Sequence, residues 1–198
     1  LGVFRGTRLE HVERCEVGSF KEALTQTFDR YPGIGHAILA SVGAPDKTMT
    51  DLIRVFCPVQ VVSPLLHTPY RNTYATTQTL GADRMALASA AFFKYPNTNT
   101  LVIDAGSCIT YDFLNDYGEY LGGAISPGLR MRYKALNTFT ARLPLLEPSE
   151  PPELIGNATE SSMHIGVVYG LCAEIDGMID RYKSRYPTLT VILTGGDA

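Results

Sequence analysis

No apolar run in this 198-residue chain approaches the roughly 18 residues that a helix needs to cross a bilayer. There is no cluster of lysines and arginines either. The formal charge of −3 removes any electrostatic case for nucleic-acid binding. Low-complexity segments are absent. The four cysteines, Cys15, Cys57, Cys108 and Cys172, lie far apart without CxxC or metal-ligand spacing. They read as reduced thiols of a cytosolic protein rather than as two disulfides of a secreted one. The histidines at 11, 36, 67 and 164 are scattered, and no Ser/His/Asp order stands out, which argues against zinc and hydrolase-triad chemistry. What remains is ordinary for a globular protein: 45% apolar and 19% charged residues, enough chain for one large domain or two small ones.

The pattern along the chain alternates strands and helices. Leu1 to Phe4 reads as a strand already under way, without an initiator Met, and a second strand falls within Arg8 to Val17. Ser19 followed by Glu22 has the form of a capping box, with Phe20, Ala23, Leu24, Thr27 and Phe28 recurring at helical spacing up to Tyr31-Pro32. His36 to Val42 predicts a buried strand, Asp46 to Phe56 a helix, and Val59 to Ser63 a short strand. Pro64 to Leu80 is polar and should be a loop. Ala82 to Tyr95 is an alanine-rich helix closed by Pro96. Leu101 to Ile103, Ile109 to Leu114 and a segment ending at Gly122-Gly123 predict three strands.

A helix should begin at Pro127, and Glu147 to Pro152 reads as a proline-rich linker. A long helix runs from about Thr159 to Tyr186, with Ile165, Val168, Leu171, Cys172, Ile175, Met178 and Ile179 on one side. A last strand covers Leu189 to Thr194. Strands separated by helices, with a hairpin inserted, argue for an α/β layered fold with a mixed sheet. The two halves repeat a similar order of elements, which suggests duplication.

Six places are candidates for chemistry. Asp104 ends an apolar strand beside the small-residue turn Ala105-Gly106-Ser107. A carboxylate there, with little side-chain bulk around it, can approach phosphate oxygens and a cation closely. For an isolated Asp-x-Gly-Ser a tight-turn cap is the simpler explanation, and it is the company of the other motifs that favours the site. Gly81-Ala82-Asp83-Arg84 stands where the polar loop turns into the alanine-rich helix. Asp83 either caps the first turn or accepts a proton from a substrate hydroxyl, while Arg84 is either solvated or orients an anionic group. Tyr74 either walls a small-molecule pocket or anchors the loop. Gly122 to Gly128 and Thr194-Gly195-Gly196 offer bare backbone for an anion or a nucleotide, or serve as tight junctions. Thr159 by itself reads as a helix cap.

Taken together, Tyr74, Gly81 to Arg84, Asp104 to Ser107, Gly122 to Gly128, Asn157-Ala158-Thr159-Glu160-Ser161 and Thr194 to Ala198 resemble, in order and spacing, the type III pantothenate kinases of the acetate-kinase/sugar-kinase/Hsp70/actin superfamily. The resemblance implies duplicated actin-like (ribonuclease H-like) domains with mixed sheets flanked by helices, here residues 1–78 and 79–198. It also implies ATP-dependent phosphorylation of pantothenate, the first step of coenzyme A synthesis. By the same resemblance Asp83 is the general base, and Tyr74, Gly81, Ala82, Asp83 and Arg84 bind pantothenate. Asp104 holds a monovalent cation, potassium or ammonium, while Ser107, Gly106, Gly195 and Gly196 meet ATP with its Mg²⁺. Thr159 contacts substrate across a homodimer interface.

The family's first phosphate motif, an Asp-x-Gly-Asn-Thr turn, should precede Leu1, and its covering helix should follow Gly196; neither is in the sequence. An inactive member acting as a regulatory or binding protein, or a kinase of another small hydroxyl or carboxylic acid, are the competing expectations.

Overall fold

The computed structural model describes residues 1–42, 47–151 and 153–198. These residues form two compact units, Leu1–Leu66 and His67–Ala198. In the first, β1 (Gly2–Arg5) and β2 (Arg8–Val12) form an antiparallel hairpin turned at Gly6, whose φ of 60° suits glycine. Helix α1 (Phe20–Arg30) follows, and β3 (Ala37–Leu39) pairs parallel with β4 (Val59–Val61) across α2 (Lys47–Arg54). Phe20, Leu24, Ile53 and Cys57 form its core.

Several expectations fail in this unit. Ser19 makes no capping bond to the helix. It closes a 3₁₀ turn over Val17–Ser19, and its hydroxyl donates back to the Glu16 carbonyl at 3.1 Å. Strands β3 and β4 are shorter than their apolar runs, β3 is not buried as expected because Ile38 is 70% exposed, and α2 ends at Arg54 rather than Phe56. Asp46, read as the start of α2, and Pro152, at the end of the linker, lie outside the described residues.

The second unit is built on a five-stranded sheet in the order β5-β8-β7-β6-β9. Its strands are β5 (Arg71–Asn72), β6 (Asn99–Ala105), β7 (Cys108–Leu114), β8 (Glu119–Pro127) and β9 (Leu189–Thr194). The consecutive strands β6, β7 and β8 pair antiparallel, whereas β5 and β9 add parallel strands on either side, so the sheet is mixed. Its helices are α3 (Ala82–Lys94), α4 (Leu129–Thr138) and α5 (Thr159–Arg185).

The period of two along β6 and β7 separates two faces. Leu101, Ile103, Ala105, Ile109, Tyr111 and Phe113 form a buried layer with Leu171 of α5, joined by Ile175, Met178, Ile179 and Tyr182. Each fully buried large side chain of this layer contributes about 1.5–3 kcal/mol. The alternate residues, among them Asp104, Thr110 and Asp112, belong to the face on which α3 packs. The buried stripe of α5 runs through Met163, Val167 and Leu171 at i, i+4 spacing, so Cys172, placed on the inner side by the sequence reading, is exposed.

Two further segments differ from expectation. Within the predicted loop 64–80, Arg71 and Asn72 pair with Glu119 and Tyr120 as an edge strand. The strand expected to stop at Gly123 continues to Pro127, because β7 keeps pairing through Cys108 opposite Pro127, and α4 starts only at Leu129. Proline is tolerated there because β5 covers only the Glu119–Tyr120 end of β8, leaving the Pro127 end an edge.

Helices α4 and α5 are clamped by Arg132. It donates to the Pro127 carbonyl and the Ser126 hydroxyl, both at 2.9 Å, and pairs with Glu174 of α5, which also accepts from the Tyr111 hydroxyl at 3.1 Å. Burial alone would raise the Glu174 carboxyl, but the hydrogen bonds from Arg132, Ser126 and Tyr111 and the Arg132 charge hold it below the ordinary range.

Gly128 joins β8 to α4 with its backbone pressed on the turn after β6. A Cβ there would stand 2.2 Å from the Gly106 carbonyl oxygen and 2.5 Å from that of Ser107. Both obstacles are backbone, which cannot step aside as a side chain can. Gly128→Ala is therefore expected to destabilise the protein by about 1–3 kcal/mol in urea unfolding.

Candidate active site

Apart from Thr159, the residues singled out by the sequence collect at two adjoining places in the second unit. The first is the turn after β6. Gly106 N–H donates to the Cys108 carbonyl at 3.1 Å, and Gly128 N–H donates to the Ser107 carbonyl at 3.2 Å. Asp197 N–H reaches the Ala105 carbonyl at 2.9 Å. Gly195, at φ 111°, lies so close that a Cβ would meet the same carbonyl at 2.2 Å. Three motifs far apart in sequence thus share one backbone floor beside Asp104, which pairs across to Thr110 and Thr194. Gly196 faces open space.

The second place is the start of α3. Gly81 is the N-cap, and Asp83 stands in the first turn, its Oδ1 accepting the Arg84 N–H at 2.8 Å. A Cβ on Gly81 would fall 2.3 Å from that oxygen, so the bare glycine makes room for the carboxylate. Asp83 is close enough to Asp104 for its charge to be felt there. Burial first, and then the Asp83 charge, raise the Asp104 carboxyl above its ordinary value of 3.8. The two acids singled out by the sequence therefore act on one region of space.

Behind Asp83 lies a constellation that the sequence reading missed. Arg84 is not solvated: it is 6% exposed, and its Nε donates to Oδ1 of the fully buried Asp112 at 2.8 Å. The Tyr120 hydroxyl donates to the same oxygen at 2.6 Å, and the Thr110 hydroxyl donates to Oδ2 at 3.0 Å. Burial pushes Asp112 upward, while Tyr120, Arg84 and Thr110 oppose it. The Asp112 charge helps hold Arg84 protonated against its own burial. Burial and Asp112 push the Tyr70 phenol to about 12.

Tyr74, on the loop before α3, lays its ring 5.7 Å from the Arg84 guanidinium carbon. Its own N–H is held by the Asn72 side chain at 3.0 Å. The same ring packs over Gly122, whose φ of 96° and missing side chain leave it space. Among the described residues, Arg84 Nη2 and the Tyr70 hydroxyl are the buried side-chain polar atoms with no hydrogen-bond partner. The signal for Asp112 was present as an acid in the middle of the apolar strand Ile109-Thr110-Tyr111-Asp112-Phe113-Leu114.

Thr159 is placed elsewhere. It is the first residue of α5, after the N-cap Ala158, whose N–H is held by Ser161 Oγ at 3.1 Å, so Thr159 itself is not the cap. It lines an open groove of about 1170 Å³ between α4 and α5, with Leu136, Phe139, Leu143 and Met163. None of the hydrogen bonds and ion pairs described for Asp83, Arg84 and Asp112 reaches it.

Among the described residues no group of three or more His, Cys, Asp or Glu side chains assembles to hold a metal. Asp104 itself offers a carboxylate oxygen, the donor chemistry that hard cations take.

Residues 2–181 match the sequence profile of the type III pantothenate kinases. Proteins of that name from Flavobacterium johnsoniae and Christiangramia forsetii are each 43% identical over 196 residues, which is 99% of this chain and 80% and 81% of theirs. One from Bacteroides fragilis is 49% identical over 89% of this chain and 71% of its own length. Among solved structures, a conserved Baf-family protein from Campylobacter jejuni, described as a transcriptional activator, shares the fold at a TM-score of 0.55 and 22% identity. That match covers 88% of this chain and 74% of the other. The chain belongs to the type III pantothenate kinase family. A membrane-crossing helix is absent among the described residues.

The raised Asp104 carboxyl has a consequence for stability. Asp104 binds its proton more tightly folded than unfolded, so its contribution is fully present below 3.8 and is lost as pH rises through the raised value. At pH 7 the ionised group therefore works against the fold. Without added cations, Asp104→Asn should melt at a higher temperature than the parent at that pH, the gap closing as the pH approaches 3.8. Circular-dichroism melts across the range check this.

Proposed function

We infer that the chain phosphorylates pantothenate on its primary hydroxyl with ATP, giving 4′-phosphopantothenate in the first step of coenzyme A biosynthesis. The observation that carries this reading is the 43% identity to type III pantothenate kinases over 99% of the chain. The site chemistry agrees with it. A primary alcohol is a weak nucleophile, and Asp83, on a helix start cleared of side-chain bulk by Gly81, accepts its proton as the oxygen attacks the γ-phosphorus. Arg84 takes the acceptor's carboxylate, and Tyr74, Gly81 and Ala82 shape the pantothenate site around it.

ATP lies over the bare turn of Gly106 and Ser107 and against Gly195 and Gly196, where the lack of side-chain bulk lets the phosphates approach closely. Asp104 would hold potassium or ammonium, which together with Mg²⁺ would supply positive charge for the transferring group. Replacing Asp83 by Asn should lower kcat by about 10²–10⁴-fold while leaving the KM for pantothenate within a few-fold. A coupled ADP-release assay reads both constants, and near-parental turnover would remove Asp83 from the base role.

The chain is read as two actin-like, ribonuclease H-like halves working in the cytoplasm, expected as residues 1–78 and 79–198, whereas the compact units divide between Leu66 and His67. The protein is read as a homodimer in which Thr159 serves substrate across the interface. The groove that Thr159 lines supports this reading, because it is apolar and Phe139 on its wall is 84% exposed in the single chain. Phe139→Asp is expected to shift the species seen in sedimentation velocity from dimer to monomer. An unchanged dimer would move the interface elsewhere.

A further inference from the structure

Arg84 presents an unusual pairing. A carboxylate that meets an arginine side-on commonly engages two N–H groups at once. Asp112 takes only Nε, because its Oδ2 is held by the Thr110 hydroxyl at 3.0 Å and its Oδ1 is shared with Tyr120 at 2.6 Å. Nη2 is left buried and without a partner. An unsatisfied charged donor in a side chain 6% exposed is costly, and a fold that needed Arg84 only as a strut would have closed the second bond.

We propose that Thr110 and Asp112 are positioning residues for substrate recognition. Thr110 turns the Asp112 carboxylate away from Nη2, and Asp112 fixes Nε, so one edge of the guanidinium is kept for the carboxylate of the acceptor. This rests on the reading that Arg84 binds that carboxylate. The Tyr74 ring, 5.7 Å from the guanidinium carbon on the loop before α3, is the side chain that yields when the acceptor binds. Selectivity for a carboxylate-bearing alcohol over a neutral one is then set two residues deep in the sheet rather than at the surface of the site.

The test compares pantothenate with its neutral analogue, in which a hydroxymethyl group replaces the carboxylate, as acceptors for the full chain. Thr110→Val removes the hydroxyl at nearly constant volume, frees Asp112 Oδ2 to close on Nη2, and should raise the KM for pantothenate about tenfold. The kcat should stay within about twofold, and the KM values for ATP and for the neutral acceptor should not change. Thr110→Ser should restore the parental KM.

Arg84→Gln separates the inference from its premise. If Arg84→Gln erases the preference for pantothenate but Thr110→Val leaves it intact, the positioning role is wrong and the carboxylate site stands. If Arg84→Gln lowers activity on both acceptors alike, Arg84 does not read the carboxylate, and the inference falls with it. Equal loss on both acceptors in Thr110→Val, without rescue by Ser, marks a merely structural hydroxyl and overturns the proposal.

Discussion

The buried pair of Arg84 and Asp112 is the interaction on which the second unit turns. It joins the start of α3 to the middle of β7, and it ties to the sheet a helix whose other buried residues are Met85 and three alanines, Ala82, Ala88 and Ala91. Burying two charges costs more than their attraction returns unless the remaining lone pairs are satisfied. Tyr120 and Thr110 do this for Asp112, and they do it from β8 and from β7 itself. Three neighbouring elements therefore share one carboxylate, and the position of Asp83, one residue before Arg84, follows from theirs.

Around that anchor the site is made largely of backbone. Gly81, Gly122, Gly128 and Gly195 are the places where a methyl group would strike a carboxylate, the Tyr74 ring or a backbone carbonyl. The charged parts are few: Asp83, Asp104 and the inner ion pair. Such an arrangement suits a transferring phosphoryl group, which needs close donors and counter-charge more than it needs a covalent partner.

Much of this could be read from the residues. The strands over Leu101 to Leu114, helix α3 and helix α5 are legible because their apolar spacing is long and unbroken. The motifs at Asp83, Asp104 and Gly195 stand out only together: each alone reads as a turn or cap, and it is their order and spacing along the chain that carries the resemblance. Other features depend on tertiary pairing, which no local pattern carries. Arg71 and Asn72 become a strand only because Glu119 and Tyr120 lie beside them, and β8 runs on to Pro127 only because β7 does. Ser19 lost its capping role to a 3₁₀ turn of the same sequence. Asp112 was hidden for the opposite reason: alternation inside an apolar strand identifies the strand and says nothing of what a buried acid on its far face will meet.

The floor beneath Asp104 has a temporal side as well. Its last supports, Gly195 and the Asp197 N–H, arrive behind β9, which must find β6 some ninety residues back along the chain and dock parallel to it. Long-range parallel pairing is slow compared with hairpin closure, so β6, β7 and β8 should assemble first as a meander whose floor beside Asp104 is still open on one side. The turn after β6 then gains its last backbone contacts only once β9 has docked, by which time the local pairing of β7 with β8 has already gathered Tyr120 and Thr110 around Asp112.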